Sequence, residues 1–150
     1  MNIIIPLGGI GERFSNNGYT KPKPLTKVLG KEIIFWVLDS LNISESDTVY
    51  IPYNEFLDAY NFKEVVNSMY PNIKLTSLPP TNGPSETIKL CINRFKIKGK
   101  IVLLDGDTWY KEDIISKVRK SKNNLSAYFN STRPEPLFSY LKLEGDKIVD

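Results

Sequence analysis

The chain alternates short runs rich in apolar residues with longer segments in which apolar residues recur at helical spacing. After Asn2, the opening run at residues 2–7 is apolar and contains three β-branched isoleucines, as is typical of a strand buried on both faces of a sheet. Similar runs predict further strands at 48–52, 73–78, 100–104, 125–130 and 138–143, the last of them open to antiparallel pairing.

Helical spacing occupies the segments between these strands. It predicts helices at 31–41, 54–60, 62–70 and 113–120. A further amphipathic helix is marked by Ile88, Cys91, Ile92 and Phe95, with Pro84 near its first turn. This β-α alternation predicts an α/β fold, a Rossmann-like doubly wound, mostly parallel sheet with helices on both faces. Ligands of such sheets bind beyond the carboxyl ends of the strands, so we expect the chemistry just after residues 7, 52, 78 and 104.

Composition narrows the function classes. The 150 residues are 41% hydrophobic and 25% charged, without repeats or linkers, which predicts a single domain over 1–150. There is no His and only one Cys, Cys91, which excludes imidazole catalysis, disulfides and His- or Cys-ligated metal clusters. A net charge of +3 is too mild to indicate nucleic acid as a partner. Pro6 interrupts the apolar start far short of the roughly 20 residues of a membrane span, so we expect a cytoplasmic protein.

Three glycines follow the first predicted strand, in the segment Leu7-Gly8-Gly9-Ile10-Gly11-Glu12-Arg13-Phe14. Such glycines permit positive φ and let backbone N–H groups converge on an anion, although a plain tight turn uses glycines in the same way. The spacing fits neither the Gly-x-Gly-x-x-Gly dinucleotide fingerprint nor the Walker loop. The permanently charged Arg13 favours the anion-binding interpretation.

A basic, proline-rich segment, Lys21-Pro22-Lys23-Pro24-Leu25, lies further along the same loop. The alternating prolines predict an extended, stiff backbone that projects Lys23 at a fixed angle. A solvated basic loop is the plain alternative. Because both segments leave the same strand end, we expect two cations and several amides to face one pocket, an arrangement suited to polyphosphate.

Two more segments carry candidate chemistry. Thr81-Asn82-Gly83-Pro84-Ser85-Glu86-Thr87 opens a helix whose N–H groups favour an anion, the alternative being a capping segment with Ser or Asn at the N-cap. Asp105-Gly106-Asp107 places two carboxylates at the end of a buried strand, where a cation must neutralise them. Carboxylates plus substrate phosphates suit Mg²⁺, whereas a polar turn with Asp107 capping the next helix is the alternative. Trp109 and Tyr110 either line an acceptor pocket or pack against other side chains.

Taken together, the motifs of residues 2–41 resemble those of the sugar-1-phosphate nucleotidyltransferases, and the resemblance continues more weakly to about residue 110. It rests on Gly-Gly-x-Gly-x-Arg-Phe, Gly18-Tyr19, Pro22-Lys23-Pro24-Leu25 and Val28-x-Gly30-Lys31. It implies a GT-A-like fold and transfer of a nucleoside monophosphate from a nucleoside triphosphate to a sugar 1-phosphate or similar small phosphomonoester, releasing pyrophosphate. It implies Mg²⁺ as the cofactor and a nucleotide-linked product, CMP-linked among the choices, for surface polysaccharide synthesis.

The resemblance also implies residue roles. The glycine loop would wrap the triphosphate, and Arg13 and Lys23 would be catalytic through contacts with its phosphates. Gly83, Ser85 and Thr87 would face the base or ribose, Asp107 would bind the metal, and Asp105 would be a second-rank ligand. The full set of implied nucleotide-binding positions is Leu7, Gly8, Gly9, Gly11, Glu12, Gly83, Ser85 and Thr87.

An in-line attack by a phosphate oxygen needs no general base, which agrees with the lack of His. Members of the family that this chain resembles run on past this length, so we expect a C-terminally incomplete domain that binds nucleotide with weak or absent turnover. A catalytically silent, regulatory nucleotide-binding module is the alternative. A short dehydrogenase is disfavoured because Gly-x-Gly-x-x-Gly and Tyr-x-x-x-Lys are missing. The base, the acceptor and the oligomeric state, with a homo-oligomer among the choices, stay open.

Overall fold

The structure is a computed structural model that describes residues 1–9, 11, 14, 16–135 and 139–149. Two 3₁₀ helices, at Lys23–Leu25 and Glu55–Tyr60, accompany its regular elements. In chain order the strands are β1 (Asn2–Ile4), β2 (Lys27–Val28), β3 (Lys31–Glu32), β4 (Thr48–Asn54), β5 (Lys74–Leu78), β6 (Ile101–Leu103), β7 (Leu143–Glu144) and β8 (Lys147–Ile148). The α-helices are α1 (Ile33–Asp39), α2 (Phe62–Met69), α3 (Pro84–Phe95) and α4 (Ile114–Lys120).

The central sheet has four parallel strands in the order β5-β4-β1-β6. In its middle, Ile3 of β1 stands opposite Val49 on one side and Val102 on the other. The ladder continues past β1, since the Leu7 N–H donates to the Pro52 carbonyl at 2.8 Å. These pairings confirm the predicted parallel α/β sheet.

Helices cover both faces of this sheet, as the all-apolar strands require. Ile3 and Ile5 point into the larger core, which takes its helical residues from α1, α2 and α4. Ile4 points to the other face and packs with Cys91 of α3 and with Ile97. The prediction of a doubly wound sheet is therefore confirmed.

The chain order reverses at β1, and this reversal locates the site. From β1 the chain adds β4 and β5 on one side, then crosses by α3 to place β6 on the other side of β1. In open α/β sheets the carboxyl ends of strands at such a reversal form a crevice that binds ligands. Here the crevice lies between the turn after β1 and the loop after β6.

Several local predictions differ from the structure. The predicted helix at 54–60 is the 3₁₀ helix Glu55–Tyr60, and residues 31 and 32, predicted as the start of a helix, form strand β3. Residues 125–130 form no strand: their backbone pairs with no strand of the described part of the chain, and their side chains are exposed. The predicted strand at 138–143 begins at Phe138, which lies outside the described residues, and only its last residue, Leu143, is in a strand, the short antiparallel ribbon β7–β8. The Lys-Pro segment is not fully extended, because Lys23–Leu25 forms a 3₁₀ helix that buries Leu25.

The helices of the described part of the chain are all too short or too polar to cross a lipid bilayer. The N-terminal apolar run, in particular, is β1 and lies inside the sheet.

Candidate functional site

The turn after β1 is fixed by its neighbours on the sheet. The Leu7 carbonyl accepts the Asn54 N–H at 3.0 Å, and the Asn54 side-chain amide donates to the Gly8 carbonyl at 3.1 Å. Gly9 is exposed, and Gly11 has a φ of +71°, a left-handed value that favours glycine. The turn therefore leaves the sheet in a defined direction and then opens toward solvent.

The segment before α3 packs directly against this turn. A Cβ on Gly8 would lie 2.4 Å from Thr87 Oγ1 and 3.1 Å from Thr81 Oγ1, so no side chain fits at Gly8. The two threonine hydroxyls are 2.7 Å apart, and Thr87 is fully buried. Two of the predicted segments, after strands β1 and β5, thus meet in space.

The start of α3 differs from the expected capping. Its N-cap residue is Gly83, with a φ of +144°, and Pro84 occupies the first turn as predicted. Glu86 reaches back and accepts the Asn82 N–H at 2.7 Å. Neither Ser nor Asn is the N-cap residue, and Ser85 is exposed.

Lys23 and Asp107 form an ion pair across the crevice, although they are 84 residues apart in the chain. Their side chains are 38% and 39% exposed, so both can be reached by a ligand. The Lys23 ammonium also lies 5.3 Å from the centroid of the Phe14 ring. That ring contacts the tilted ring of Tyr19, with 4.7 Å between the two ring centroids. The structure therefore brings the proline-rich segment and the Asp-Gly-Asp segment together.

The Asp-Gly-Asp segment follows β6 at close range to β1. Asp105 and Asp107 are exposed, whereas Gly106 is buried, and a Cβ there would lie 2.2 Å from Leu7 Cδ2. Burial raises the pKa of Tyr110, the two carboxylates add to this, and a hydrogen bond from the Asp105 backbone opposes it. The phenol therefore stays neutral near neutral pH.

Asp107 does not cap α4. Asp113 is the N-cap residue, and its carboxylate accepts the Ser116 N–H at 2.9 Å. The carboxylate of Asp107 is thus held by Lys23 rather than by a helix end, which leaves the plain capping alternative without support.

An apolar groove of about 460 Å³ opens beside Asp107. Trp109 is 61% exposed on one wall, while Tyr110 packs against the larger core. The indole N–H of Trp36 donates to the Val28 carbonyl at 2.8 Å, which ties the β2–β3 hairpin to α1. The residues that line the groove are Val28, Leu29, Ile33, Trp36, Val37, Asp107 and Trp109.

The predicted site residues divide into three groups. Those that the structure brings to the crevice or packs against it are Leu7, Gly8, Gly9, Lys23, Gly83, Thr87, Asp105 and Asp107. Gly11 and Ser85 form no described contact with the crevice: Gly11 lies in the open part of the turn, and Ser85 lies at the exposed start of α3. Arg13 and Glu12 lie outside the described residues, so their roles stay predictions.

Asn54 was missed by the sequence reasoning. It is 2% exposed and holds the glycine turn from the end of β4. A signal was present, because a polar residue just after a buried strand stands where an α/β sheet places its ligands. The segment after residue 52 is one of the four places where the sequence predicts chemistry, but it contains no glycine and no basic residue that would single it out.

Two solved structures share the fold. A nucleoside-diphosphate-sugar pyrophosphorylase from Vibrio cholerae RC9 superposes with a TM-score of 0.55 over 78% of this chain and 52% of its own, at 18% identity. A nucleotidyl transferase from Methanothermobacter gives 0.52 over 79% and 55%, at 17% identity. The fold is therefore of the nucleotidyltransferase class.

Two proteins of similar sequence indicate which kind of nucleotidyltransferase the chain resembles, although no protein-family model matches the chain. The chain is 25% identical to a protein named mannose-1-phosphate guanyltransferase from Sulfolobus acidocaldarius, over 99% of this chain and 42% of that protein. It is 30% identical to the bifunctional protein GlmU of Thermodesulfovibrio yellowstonii, over 97% of this chain and 31% of that protein. In sequence and in fold the chain thus resembles the sugar-1-phosphate nucleotidyltransferases, and it spans less than half the length of either relative.

Proposed function

We propose that this chain is the nucleotide-binding part of an enzyme that transfers a nucleoside monophosphate from a nucleoside triphosphate to a sugar 1-phosphate or similar phosphomonoester. The observation that carries the proposal is the Lys23–Asp107 ion pair beside the glycine turn. It places a phosphate-binding cation next to a carboxylate suited to a metal, at the reversal of strand order where such sheets bind ligands.

The carboxylates fit a divalent cation. Asp105 and Asp107 offer hard oxygen atoms from one exposed loop, which suits Mg²⁺ bound through one or two carboxylates plus substrate phosphates. Within the described residues no three acidic or thiol side chains form a complete cage, so the phosphates would supply the remaining ligands. Asp107, with Asp105 as a second ligand, would hold the cation, whose chemistry is to neutralise charge on the triphosphate.

The reaction itself would be an in-line displacement. An anionic oxygen of the acceptor phosphate forms a bond to the α-phosphorus, the bond from that phosphorus to the bridging oxygen breaks, and pyrophosphate leaves. No proton must be removed from the nucleophile, so the absence of His is no obstacle. Lys23 would contribute by placing its ammonium against the phosphates, which stabilises the charge that moves to the leaving group.

The acceptor would lie in the groove beside Asp107. Asp107, the proposed metal ligand, is one of the residues that line this groove. The volume of the groove, about 460 Å³, is in the range of small-molecule sites. Trp109, exposed on its wall, would provide a flat apolar surface for the acceptor. The donor base and the use of the product in surface polysaccharide synthesis, with a CMP-linked product among the choices, stay predictions, as does a cytoplasmic location.

Thermal shift with ATP, CTP, GTP, UTP and dTTP, with and without Mg²⁺, tests the proposal. At least one triphosphate should raise the melting temperature, and Mg²⁺ should increase the shift. Pyrophosphate release with sugar 1-phosphates would then detect turnover, which Lys23→Ala should lower by a factor on the order of 10²–10³.

Lys27→Ala is the matched control. Lys27 belongs to the same basic loop region, but it pairs with Glu32 on the β2–β3 hairpin, so its loss should leave nucleotide binding unchanged. A flat response to all five triphosphates would overturn the proposal. Binding without any pyrophosphate release, in this chain and in a longer one, would instead favour a silent nucleotide-binding module.

A further inference from the structure

Asn54 bridges two backbone groups with one buried side chain. Its amide nitrogen donates to the Gly8 carbonyl at 3.1 Å, and its amide oxygen accepts the Phe56 N–H at 3.1 Å. Its own N–H donates to the Leu7 carbonyl at 3.0 Å. The residue is 2% exposed, so these bonds form away from water and a missing partner would leave a buried polar group unsatisfied.

The contact to Gly8 fixes the direction of the peptide group between Gly8 and Gly9. A trans peptide is planar, and its C=O and N–H groups point in opposite directions. Because the Gly8 carbonyl points at Asn54, the Gly9 N–H points away from β4. The strand that flanks β1 on that other side is β6, which leads into Asp105 and Asp107.

The backbone at Gly8 is held in this conformation by its neighbours. Thr87 and Thr81 fill the space where its Cβ would be, and the sheet ladder holds Leu7 on the preceding side. Gly9, in contrast, is exposed, and no described atom beyond its chain neighbours lies within 4 Å of where its Cβ would be. The Gly9 side of the turn is therefore open to solvent, and an anion that reaches the Gly9 N–H would meet a peptide group held in place from the Gly8 side.

We propose that Asn54 is a positioning residue that aims the Gly9 N–H at a phosphate group of the bound nucleotide. The inference rests on the proposed function, since it assigns the glycine turn to a polyphosphate. A buried amide is well suited to this task, because it donates to Gly8 with one end while its other end is anchored on the backbone of Phe56.

The test uses protein labelled with ¹⁵N-glycine and inorganic tripolyphosphate as the probe. In the unaltered chain the Gly9 amide resonance should move on titration. Asn54→Asp keeps the oxygen that accepts from Phe56 but replaces the donor to Gly8 with a second oxygen, so the Gly9 shift should disappear and affinity should fall roughly tenfold. Asn54→Ala, which adds no buried charge, should show the same loss and covers the case in which the aspartate variant does not fold.

Thr76→Val is the matched control. Thr76 is a buried polar residue of the neighbouring strand β5, and its hydroxyl bonds to Ser77 rather than to the glycine turn. Its variant should lose stability at most, with the Gly9 shift intact. Unchanged affinity and an unchanged Gly9 shift in the Asn54 variants would overturn the inference and leave the proposed function standing. A wild-type chain that binds neither tripolyphosphate nor any nucleoside triphosphate would overturn both.

Discussion

At Gly106 the loop after β6 approaches β1 too closely for any side chain. The atom in the way is Leu7 Cδ2, and Ile5 Cγ2 would lie 3.3 Å from the same Cβ. Both neighbours belong to the packed core, where displaced atoms have little room. The glycine between the two aspartates therefore serves packing, while the carboxylates on either side serve the crevice.

Gly106→Ala should destabilise the fold by about 1–3 kcal/mol, because the added methyl group overpacks the contact with Leu7. Urea unfolding followed by circular dichroism measures the change. Gly9→Ala is the comparison for stability, since no described atom beyond the chain neighbours of Gly9 lies within 4 Å of the added Cβ. Equal stability of both variants would show that the loop after β6 moves freely against β1.

Single residues were predictable where they carried a charge or sat in a repeated pattern. Lys23 and Asp107 stood out by charge and position, and the structure pairs them. Asn54 did not stand out, because its role depends on which backbone carbonyl the fold brings to it. That partner is 46 residues away in the chain and is fixed only by the strand register.

Among the elements, helix α4 is held at both of its ends by hydrogen bonds to the segment between α1 and β4. At the N-terminus of α4, the Asn42 side-chain amide donates a hydrogen bond of 2.9 Å to the carboxylate of Asp113. Near its C-terminus Arg119 donates two hydrogen bonds to Asp47, whose side chain is fully buried. The hydrogen bonds from Arg119, and others from Ser44 and the N-terminus, hold the pKa of Asp47 well below its usual range, although burial acts in the opposite direction.

Asp47→Asn should lower the free energy of unfolding by about 1–3 kcal/mol at pH 7, because it removes a charged hydrogen-bond acceptor from Arg119. The folded protein binds a proton at Asp47 less readily than the unfolded chain does. The stabilisation is therefore complete above the ordinary pKa of 3.8 and decreases as the pH falls below it. Urea titrations at pH 7, 5 and 3 should show a nearly constant gap between the two proteins at pH 7 and 5 and a narrower gap at pH 3.

Glu112→Gln is the control for this comparison. Glu112 lies just before α4 and pairs with Lys117 of that helix on the exposed surface, where ion pairs contribute little. Its variant should match the parent at every pH. A constant gap between Asp47→Asn and the parent from pH 7 to pH 3 would contradict the assigned role of the carboxylate.

Elements were predictable where burial on both faces fixed them. The two strands that are almost wholly apolar, β1 and β6, were predicted from that pattern, and all four parallel strands were placed within a few residues of their observed bounds. The 3₁₀ helix at Lys23–Leu25 was not predicted, because the φ fixed by proline fits both an extended and a 3₁₀ backbone. The segment 125–130 has strand-forming residues, but a strand also needs a partner, which no local pattern supplies.

On the scale of the whole molecule, the sheet separates two cores that are sealed by different helices. The smaller one, under α3, contains the only cysteine of the sequence, Cys91, which is fully buried. Burial raises the pKa of its thiol to about 11. The thiol is thus both inaccessible and protonated near neutral pH.

Cys91 should report the opening of that core. At pH 8 its reaction with a disulfide reagent such as DTNB should be at least about 100-fold slower in the folded chain than in urea, given a pKa about two units higher. A stabilising nucleotide should slow it further, because fewer molecules are open at any moment. Labelling as fast as in urea would show that α3 does not seal this face.

Trp109 stands at the rim of the groove, more than half exposed and adjacent in the chain to the loop that carries Asp107. An indole in such a place changes its emission when its surroundings lose water. The second tryptophan, Trp36, lines the same groove, with its N–H bonded to the hairpin and the Lys31 ammonium 4.3 Å from its ring centre. Both indoles therefore face the mouth of the crevice, and the arrival of a small molecule there can be followed by their fluorescence without any dye.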